Sequence, residues 1–363
     1  MKRLVFTVTN DLTCDQRMIR ICTSLSSAGY GVLLIGRSQK GSVPLTTETF
    51  QQKRLRCIFS KGKAFYAEYN IRLFFFLLLT KADLLCAIDL DTILAIYFAS
   101  WFKRTKRVYD AHELFCEMKE IVIRPGIYKT WKRIERFALP KFRYGYTVNQ
   151  MLCDEFRKMY SRDYEAIRNL PVLKEEPVPA KHEKYVLYQG AVNEGRSFET
   201  LIPAFSKIPH RLLIAGDGNF IDQAKKLTTE HQLSDKVVFL GRLPPDELRS
   251  HTLRAWVGVT LFENKGLSNY YSLANRFFDY IHAGVPQLCV EYPAYVELNK
   301  IYNIGVLIKD LSSQNIALHL NQLLSDDALH DELQRNCLKA RRELNWQNEE
   351  RKLISYYKQI FQS

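Results

Sequence analysis

Residues 4–37 read LVFTVTNDLTCDQRMIRICTSLSSAGYGVLLIGR, and their pattern decides the fold. LVFTVT (4–9) is strand-like, being rich in Val and Thr. Asp15 is placed to cap a helix that carries Met18, Cys22 and Leu25 on one face, and Gly29 ends it. VLLIGR (32–37) is the next strand. Strand, helix and strand in this order imply a parallel sheet with helices on both faces. Further strands are expected at 84–88, 107–110 and 144–149. A second series follows: YVLYQG (185–190), RLLIAG (211–216), KVVFLG (236–241) and AWVGVT (255–260). Three of these end in glycine and Gly258 lies within the fourth, so backbone or ligand can approach the carboxyl ends, where open α/β sheets bind ligands. Between the series, PVLKEEPVPAKHEK (171–184) has three prolines and no apolar period, and reads as a linker. The expected fold class is α/β, with two Rossmann-like doubly wound domains facing a central cleft. They would span 1–175 and 181–346, with a last helix from 347 returning to the first domain.

A chain of 363 residues is long enough for two such cores. Its eight cysteines (14, 22, 57, 86, 116, 153, 289, 337) form no CxxC pair and have no metal-ligand spacing, which suggests reduced thiols and a cytoplasmic location. MKRLVFTVTNDL reads as a first strand and lacks the apolar run of a signal peptide. LFFFLLL (73–79) is far too short to span a bilayer and reads as a buried helix face. Residues 1–178 hold 30 Lys and Arg against 18 Asp and Glu, whereas the remainder holds 22 against 21. The net charge of +13 therefore lies almost wholly in the first half, which points to an anionic partner there, nucleic acid or a membrane surface.

No GxGxxG or GxxxxGK[ST] follows the first strand, which argues against nicotinamide and P-loop chemistry. Asp89-Leu90-Asp91 has the form of a DxD metal motif, but Asp91 reads as the N-cap of the helix TILAIYFASWF, and no metal site is expected. VYDAHELF (108–115) places Asp110, His112 and Glu113 just past a strand, where ionisable groups in an α/β protein tend to be functional. YQGAVNEGRSFETLIPAF offers Gly190 and then Arg196 ahead of a helix starting near Ser197, a combination that attracts phosphate oxygens. In YSLANRFFDYIHAGVP (271–286), Ser272 or a neighbour is expected to open a helix whose N–H groups and Arg276 face an anion. Phe277, Phe278, Ile281 and Ala283 supply its buried side, which leaves Asp279 to accept hydrogen bonds from a ribose diol. The alternative is an ordinary Arg276–Asp279 pair.

Taken in order and spacing, these segments resemble glycosyltransferase family 4, with the GT-B fold, over nearly the whole chain. NDLTCDQRMIRICTSLSSAGYGVLLIGR, LLIAGDG and VVFLGRLPPDEL add to the likeness. The resemblance implies transfer with retention of configuration, without a metal or other cofactor, from a nucleotide-sugar donor held by the second domain to an acceptor held by the first. By position, Arg196 and Arg276 match the basic pair on the donor diphosphate. Tyr271, Ser272, Leu273 and Asn275 fall in the donor loop, and Gly190 and Gly216 at its strand ends. His112 matches the histidine near the transferred sugar, and Asn10, Asp11 and Glu113 fall on the acceptor side. The family's paired glutamates fall on Tyr271 and Asp279, so one carboxylate is shortened and the other lost.

The acceptor is expected to be a glycan or a polyprenyl- or other lipid-linked molecule of bacterial surface polysaccharide synthesis. The basic half would then dock peripherally on an anionic membrane, through KRTKR (103–107) and YKTWKRIERF (128–137), where Trp131 and Phe137 stand between cations. A degenerate GT-B protein and a basic nucleic-acid-binding protein are the competing readings. The second is disfavoured because no RRM, KH or helix-turn-helix pattern appears.

Overall fold

A computed structural model describes residues 1–13, 15–175 and 183–362. The chain divides into two compact units, Met1–Asn169 with Glu349–Ser363, and Leu170–Asn348.

The first unit is built on a parallel sheet of β1 (Arg3–Thr7), β2 (Gly31–Arg37), β3 (Gln51–Leu55), β4 (Leu84–Ile88), β5 (Lys106–Ala111), β6 (Tyr144–Thr147) and β7 (Glu165–Ala166). Their order is β3-β2-β1-β4-β5-β6-β7. Val5 of β1 registers with Leu33 on one side and Leu85 on the other, so the winding reverses between β1 and β4. In open α/β sheets the loops after two such strands diverge, and ligands bind at that point. The opening βαβ forms as its pattern dictates. Asp15 accepts the Met18 N–H (3.0 Å), and Met18, Cys22 and Leu25 are fully buried. β3, with the sequence QQKRL, was not expected because it has no apolar period; it lies at the sheet edge, where one side needs no core partner.

The helix Gly62–Leu79 corrects the reading of LFFFLLL as one buried face. It buries Phe65, Tyr69, Leu73 and Leu77, one residue per turn, and leaves Phe75 61% and Leu79 89% exposed. A helix presents only one stripe to a sheet, so an all-apolar run must expose the rest. From Glu349 onward the last helix, Trp346–Gln362, groups with the first unit. Its Tyr357 is buried with the ring 6.0 Å from Phe6, and Glu350 accepts the Ser24 hydroxyl (2.7 Å).

The second unit repeats the plan with β8 (Tyr185–Gln189), β9 (Arg211–Ala215), β10 (Val237–Gly241), β11 (Val257–Thr260), β12 (Gln287–Val290) and β13 (Gly305–Ile308). The order β10-β9-β8-β11-β12-β13 puts the reversal between β8 and β11. β8, β11 and β12 are buried throughout, as strands covered on both faces must be. The first unit ends at Asn169, short of the expected residue 175. Leu170 joins the second core, the Trp346 N–H donates to Pro171 O (2.9 Å), and the Gln347 amide brackets Leu173. The part of the expected linker at 176–182 lies outside the described residues.

Candidate functional site

In the second unit the reversal point is closed by glycine contacts. A Cβ on Gly216 would lie 1.8 Å from Gly190 O, and one on Gly190 would lie 3.3 Å from Arg276 Nη1. Only glycine lets the loops after β8 and β9 approach in this way. Backbone bonds from Val192 N to Asp217 O (3.1 Å) and from Phe220 N to Val192 O (2.9 Å) lace the two loops together. Gly216→Ala must therefore separate them. We expect a loss of about 3 kcal/mol or more in stability, read as a lowered unfolding midpoint.

Against this floor lies Arg276, buried and second in the helix Asn275–Ala283. Its Nη1 donates to Gln189 O, the last carbonyl of β8 (2.9 Å). Its guanidinium lies over the rings of Tyr188 (4.4 Å) and Phe262 (4.8 Å), and its Nε has no hydrogen-bond partner. Arg196 covers the same Phe262 ring at 4.5 Å, so the structure brings the two arginines together through one aromatic side chain. Two cations sharing a ring at a strand's carboxyl end, one of them with an orphaned buried donor, can attract an anion. Asp279 is fixed by a relay in which Thr252 Oγ1 donates to Gln189 Oε1 (2.7 Å) and Gln189 Nε2 donates to Asp279 Oδ2 (3.0 Å). The ordinary Arg276–Asp279 pairing is therefore not how Asp279 is held. Gln189 and Phe262 were missed in the sequence, although a polar residue ending the buried run YVLYQ was the available signal for Gln189.

Ser272 does not open the helix. Its hydroxyl turns back to Asn269 O (2.9 Å) on the preceding turn, Leu267–Tyr270. The helix starts at Asn275 after Ala274, whose N–H donates to the Tyr295 hydroxyl (3.0 Å). Tyr271 closes the short turn, Leu273 packs on the core and Asn275 is exposed. Phe277, Phe278, Ile281 and Ala283 are buried, and Gly284 ends the helix in the left-handed conformation. Ser197, also left-handed, precedes the short helix Phe198–Ala204.

The first unit holds a separate ionisable cluster at its own reversal point. Asp89, at the end of β4, has φ +53°, a conformation L side chains rarely adopt. This turns its carboxylate onto His112: Oδ1 accepts the His112 backbone N–H (2.9 Å), and Oδ2 lies 3.3 Å from Nδ1. Asp110 is fully buried and paired with Arg17 at 2.7 Å; its other oxygen is 3.8 Å from His112 Nε2, which has no hydrogen-bond partner. Burial opposes charge on His112, but Asp89 and Asp110 outweigh it and raise its pKa to about 9. Burial likewise drives Asp89 up to about 7, against the pull of His112, while Glu113 adds like-charge repulsion. Burial also raises Asp110, yet Arg17 and His112 overcome it and hold the carboxyl below its ordinary value. At neutral pH His112 is thus a cationic donor.

Asp91 is not the expected N-cap. A short 3₁₀ turn, Leu90–Thr92, intervenes before the helix Ile93–Lys103, and Asp91 Oδ2 instead accepts the Thr9 hydroxyl (2.8 Å). Asn10 and Asp11 shape the loop after β1. Asn10 joins Leu12 N and Asp15, while Asp11 accepts from Thr13 and Ser42. Among the described residues no group of three or more His, Cys, Asp or Glu is arranged to hold a metal ion, and no helix is long and apolar enough to cross a membrane.

Comparison with known proteins agrees with this geometry. Residues 171–343 match the family model of the glycosyl transferases, group 1. An uncharacterized glycosyltransferase of Methanocaldococcus jannaschii is 27% identical over 183 residues, which is 48% of this chain and 45% of that protein. The match thus spans about half the length of the curated relative. The sucrose-phosphate synthase of Thermosynechococcus elongatus superposes with a TM-score of 0.81 at 16% identity, over 99% of both chains. Anabaena HepE in complex with UDP-glucose gives 0.77 at 12% identity, over 99% of this chain and 100% of that one. WaaG, a glycosyltransferase involved in lipopolysaccharide biosynthesis, gives 0.71 at 14%, over 97% and 98%. At these identities the structures establish the fold, two parallel-sheet Rossmann-like domains of the GT-B kind. Residues 171–343 thus match the glycosyl transferases group 1 family, on a chain of GT-B fold.

Proposed function

We propose that the protein is a glycosyltransferase that moves a sugar from a nucleotide-diphosphate donor to an acceptor. The observation that carries this is the Arg196–Phe262–Arg276 arrangement beside Gly190 and Gly216, at the reversal point of the unit that matches the family. As the glycosidic bond breaks, charge develops on the leaving diphosphate. Two preorganised guanidinium groups stabilise that charge more than they stabilise the bound donor, which lowers the barrier. Asp279, oriented by Gln189, takes the ribose hydroxyls. HepE, a structural neighbour, is solved with UDP-glucose, which makes a nucleotide-diphosphate sugar the expected donor.

In the first unit His112 serves the transferred sugar as a cationic hydrogen-bond donor through Nε2, and Asn10, Asp11 and Glu113 border the acceptor. Retention of configuration, independence of metal and a place in bacterial surface polysaccharide synthesis rest on the resemblance to family 4. A thermal-shift panel of UDP-, GDP-, ADP- and dTDP-sugars tests the reading. One base should raise the midpoint, by the equivalent of about 2.7 kcal/mol at a hundredfold excess over Kd. No shift with any of them sinks the donor assignment.

The first unit also suits a cytoplasmic enzyme lying peripherally on an anionic membrane, through a surface that keeps the expected Phe137 but not Trp131. Trp131 packs against Tyr66 (5.1 Å) and Phe115 (4.9 Å), so it does not serve as an exposed anchor. Phe75, Phe98, Trp101, Phe102 and Phe137 are exposed, and the Lys141 ammonium lies 3.8 Å over Phe137. Exposed aromatics with interleaved cations fit a lipid headgroup layer. In flotation with phosphatidylglycerol vesicles, Trp101→Ser with Phe102→Ser should lose most of the bound fraction. Unchanged flotation removes this surface from the reading.

A further inference from the structure

The first unit contains a pocket of about 380 Å³ that the functions above do not use. Its walls come from three helices and the turn after β4: Tyr66 and Ala67 from Gly62–Leu79, Leu90 and Leu94 beside Ile93–Lys103, and Trp131 and Ile134 from Pro125–Ala138. This volume falls within the range of small-molecule sites. Most of the lining is apolar, and two of its polar side chains, Asn70 and Thr130, are occupied by the protein itself, whereas Asp91 Oδ1 is buried without a hydrogen-bond partner. Asn70 donates to Tyr66 O (2.9 Å) and Asp91 O (2.8 Å) and accepts from Ala95 N (3.3 Å), and Thr130 donates to Gly126 O (2.9 Å). Asp91 Oδ2 is taken by Thr9, and burial raises the Asp91 carboxyl to about 6, toward the neutral form.

A sugar in such a pocket would lose its bonds to water and find few partners in exchange, whereas a hydrocarbon chain would lose nothing. The lining also holds a cation, Lys63, on the exposed first turn of Gly62–Leu79. The pocket also adjoins the ionisable cluster: Leu90 and Asp91 directly follow Asp89, and the charges of Glu113 and His112 both act on Asp91.

We propose that this pocket receives the hydrocarbon chain of an anionic amphiphile, with its phosphate or carboxylate at Lys63. On the glycosyltransferase reading, which this assignment extends, the acceptor is then lipid-linked and not a free glycan.

The test uses alkyl phosphates below their micelle threshold on the full-length protein, with no donor present. Binding is read by quenching of tryptophan with a chain brominated near its end. Affinity should rise about fourfold per methylene from hexyl to decyl phosphate. Trp131→Phe should retain binding, measured by calorimetry, while losing most of the quench. Ala67→Trp, a substitution at an exposed wall position that fills the pocket, should weaken binding at least tenfold. Decanol should bind more weakly than decyl phosphate, and Lys63→Ala should remove that difference. Absence of binding, no dependence on chain length, or binding unaffected by Ala67→Trp overturns the proposal. If decyl phosphate fails while a nucleotide sugar still binds, the pocket assignment alone is lost. If the chain binds and no donor does, the pocket stands and the transferase reading falls.

Discussion

Arg276→Ala is expected to lower kcat/KM for sugar transfer by about two to three orders of magnitude, the loss seen when one preorganised donor to a developing anion is removed. The size follows from where the side chain sits. Its guanidinium lies over Tyr188 and Phe262, donates to Gln189 O and keeps a buried Nε without a partner. A donor held by two aromatic faces need not reorganise when the diphosphate leaves. Arg276→Lys should recover little, because an ammonium has neither the flat face for the rings nor the forked donors. Truncation also leaves Gln189 O unpaired and a void between rings, costing about 2–4 kcal/mol of stability. Midpoint and donor-induced shift must therefore be read separately. Arg196, less buried, supplies the control: Arg196→Ala should weaken donor binding with a much smaller fall in stability. If Arg276→Ala remains folded and transfers within about threefold of the parent, Arg276 is a core cation and no part of the site.

How much of this was legible differs between backbone and side chains. The two strand series, the Asp15 cap and the Gly29 stop were readable because each depends on residues adjacent in sequence. β3 was not, because an edge strand needs no apolar period and QQKRL has none. The site divides in the same way. Arg196 and Arg276 could be named from their segments, but Phe262, which joins them, is distant in sequence from Arg196 and carries no polar signal. Ser272 was misplaced because an Asn269–Ser272 turn competes with capping, and hydroxyls favour such local bonds. Asp89 stood out only as the first carboxylate of a DxD form. Its role depends on a left-handed φ and on β5 lying beside β4, and neither is visible along the chain.

That geometry gives the second large effect. His112 should titrate near pH 9, and the first unit should lose stability as pH rises from about 6.5 to 9. The sign follows from the folded value. A histidine raised above its ordinary 6.5 stabilises the fold fully below that pH and loses the contribution by the time pH passes the raised value. Asp89, itself raised to about 7 by burial, acts in the same direction but mostly at lower pH, between about 4 and 7, since its protonated form is favoured more by the folded state than by the unfolded one. Asp110, held low by Arg17, acts oppositely but only in acid, below the window in question. The loss from His112 across this window is on the order of 2 kcal/mol. Asp89→Asn removes the larger attraction on His112, so the imidazole should titrate nearer its ordinary value and transfer should decline at a correspondingly lower pH. The measurement is the His112 ring resonance followed by NMR against pH, in the parent and in Asp89→Asn. A parent His112 that titrates below pH 7, or one indifferent to Asp89→Asn, would mean that the imidazole is neutral under working conditions. The first unit would then offer the transferred sugar a neutral imidazole, and the case for a cationic donor at Nε2 would be gone.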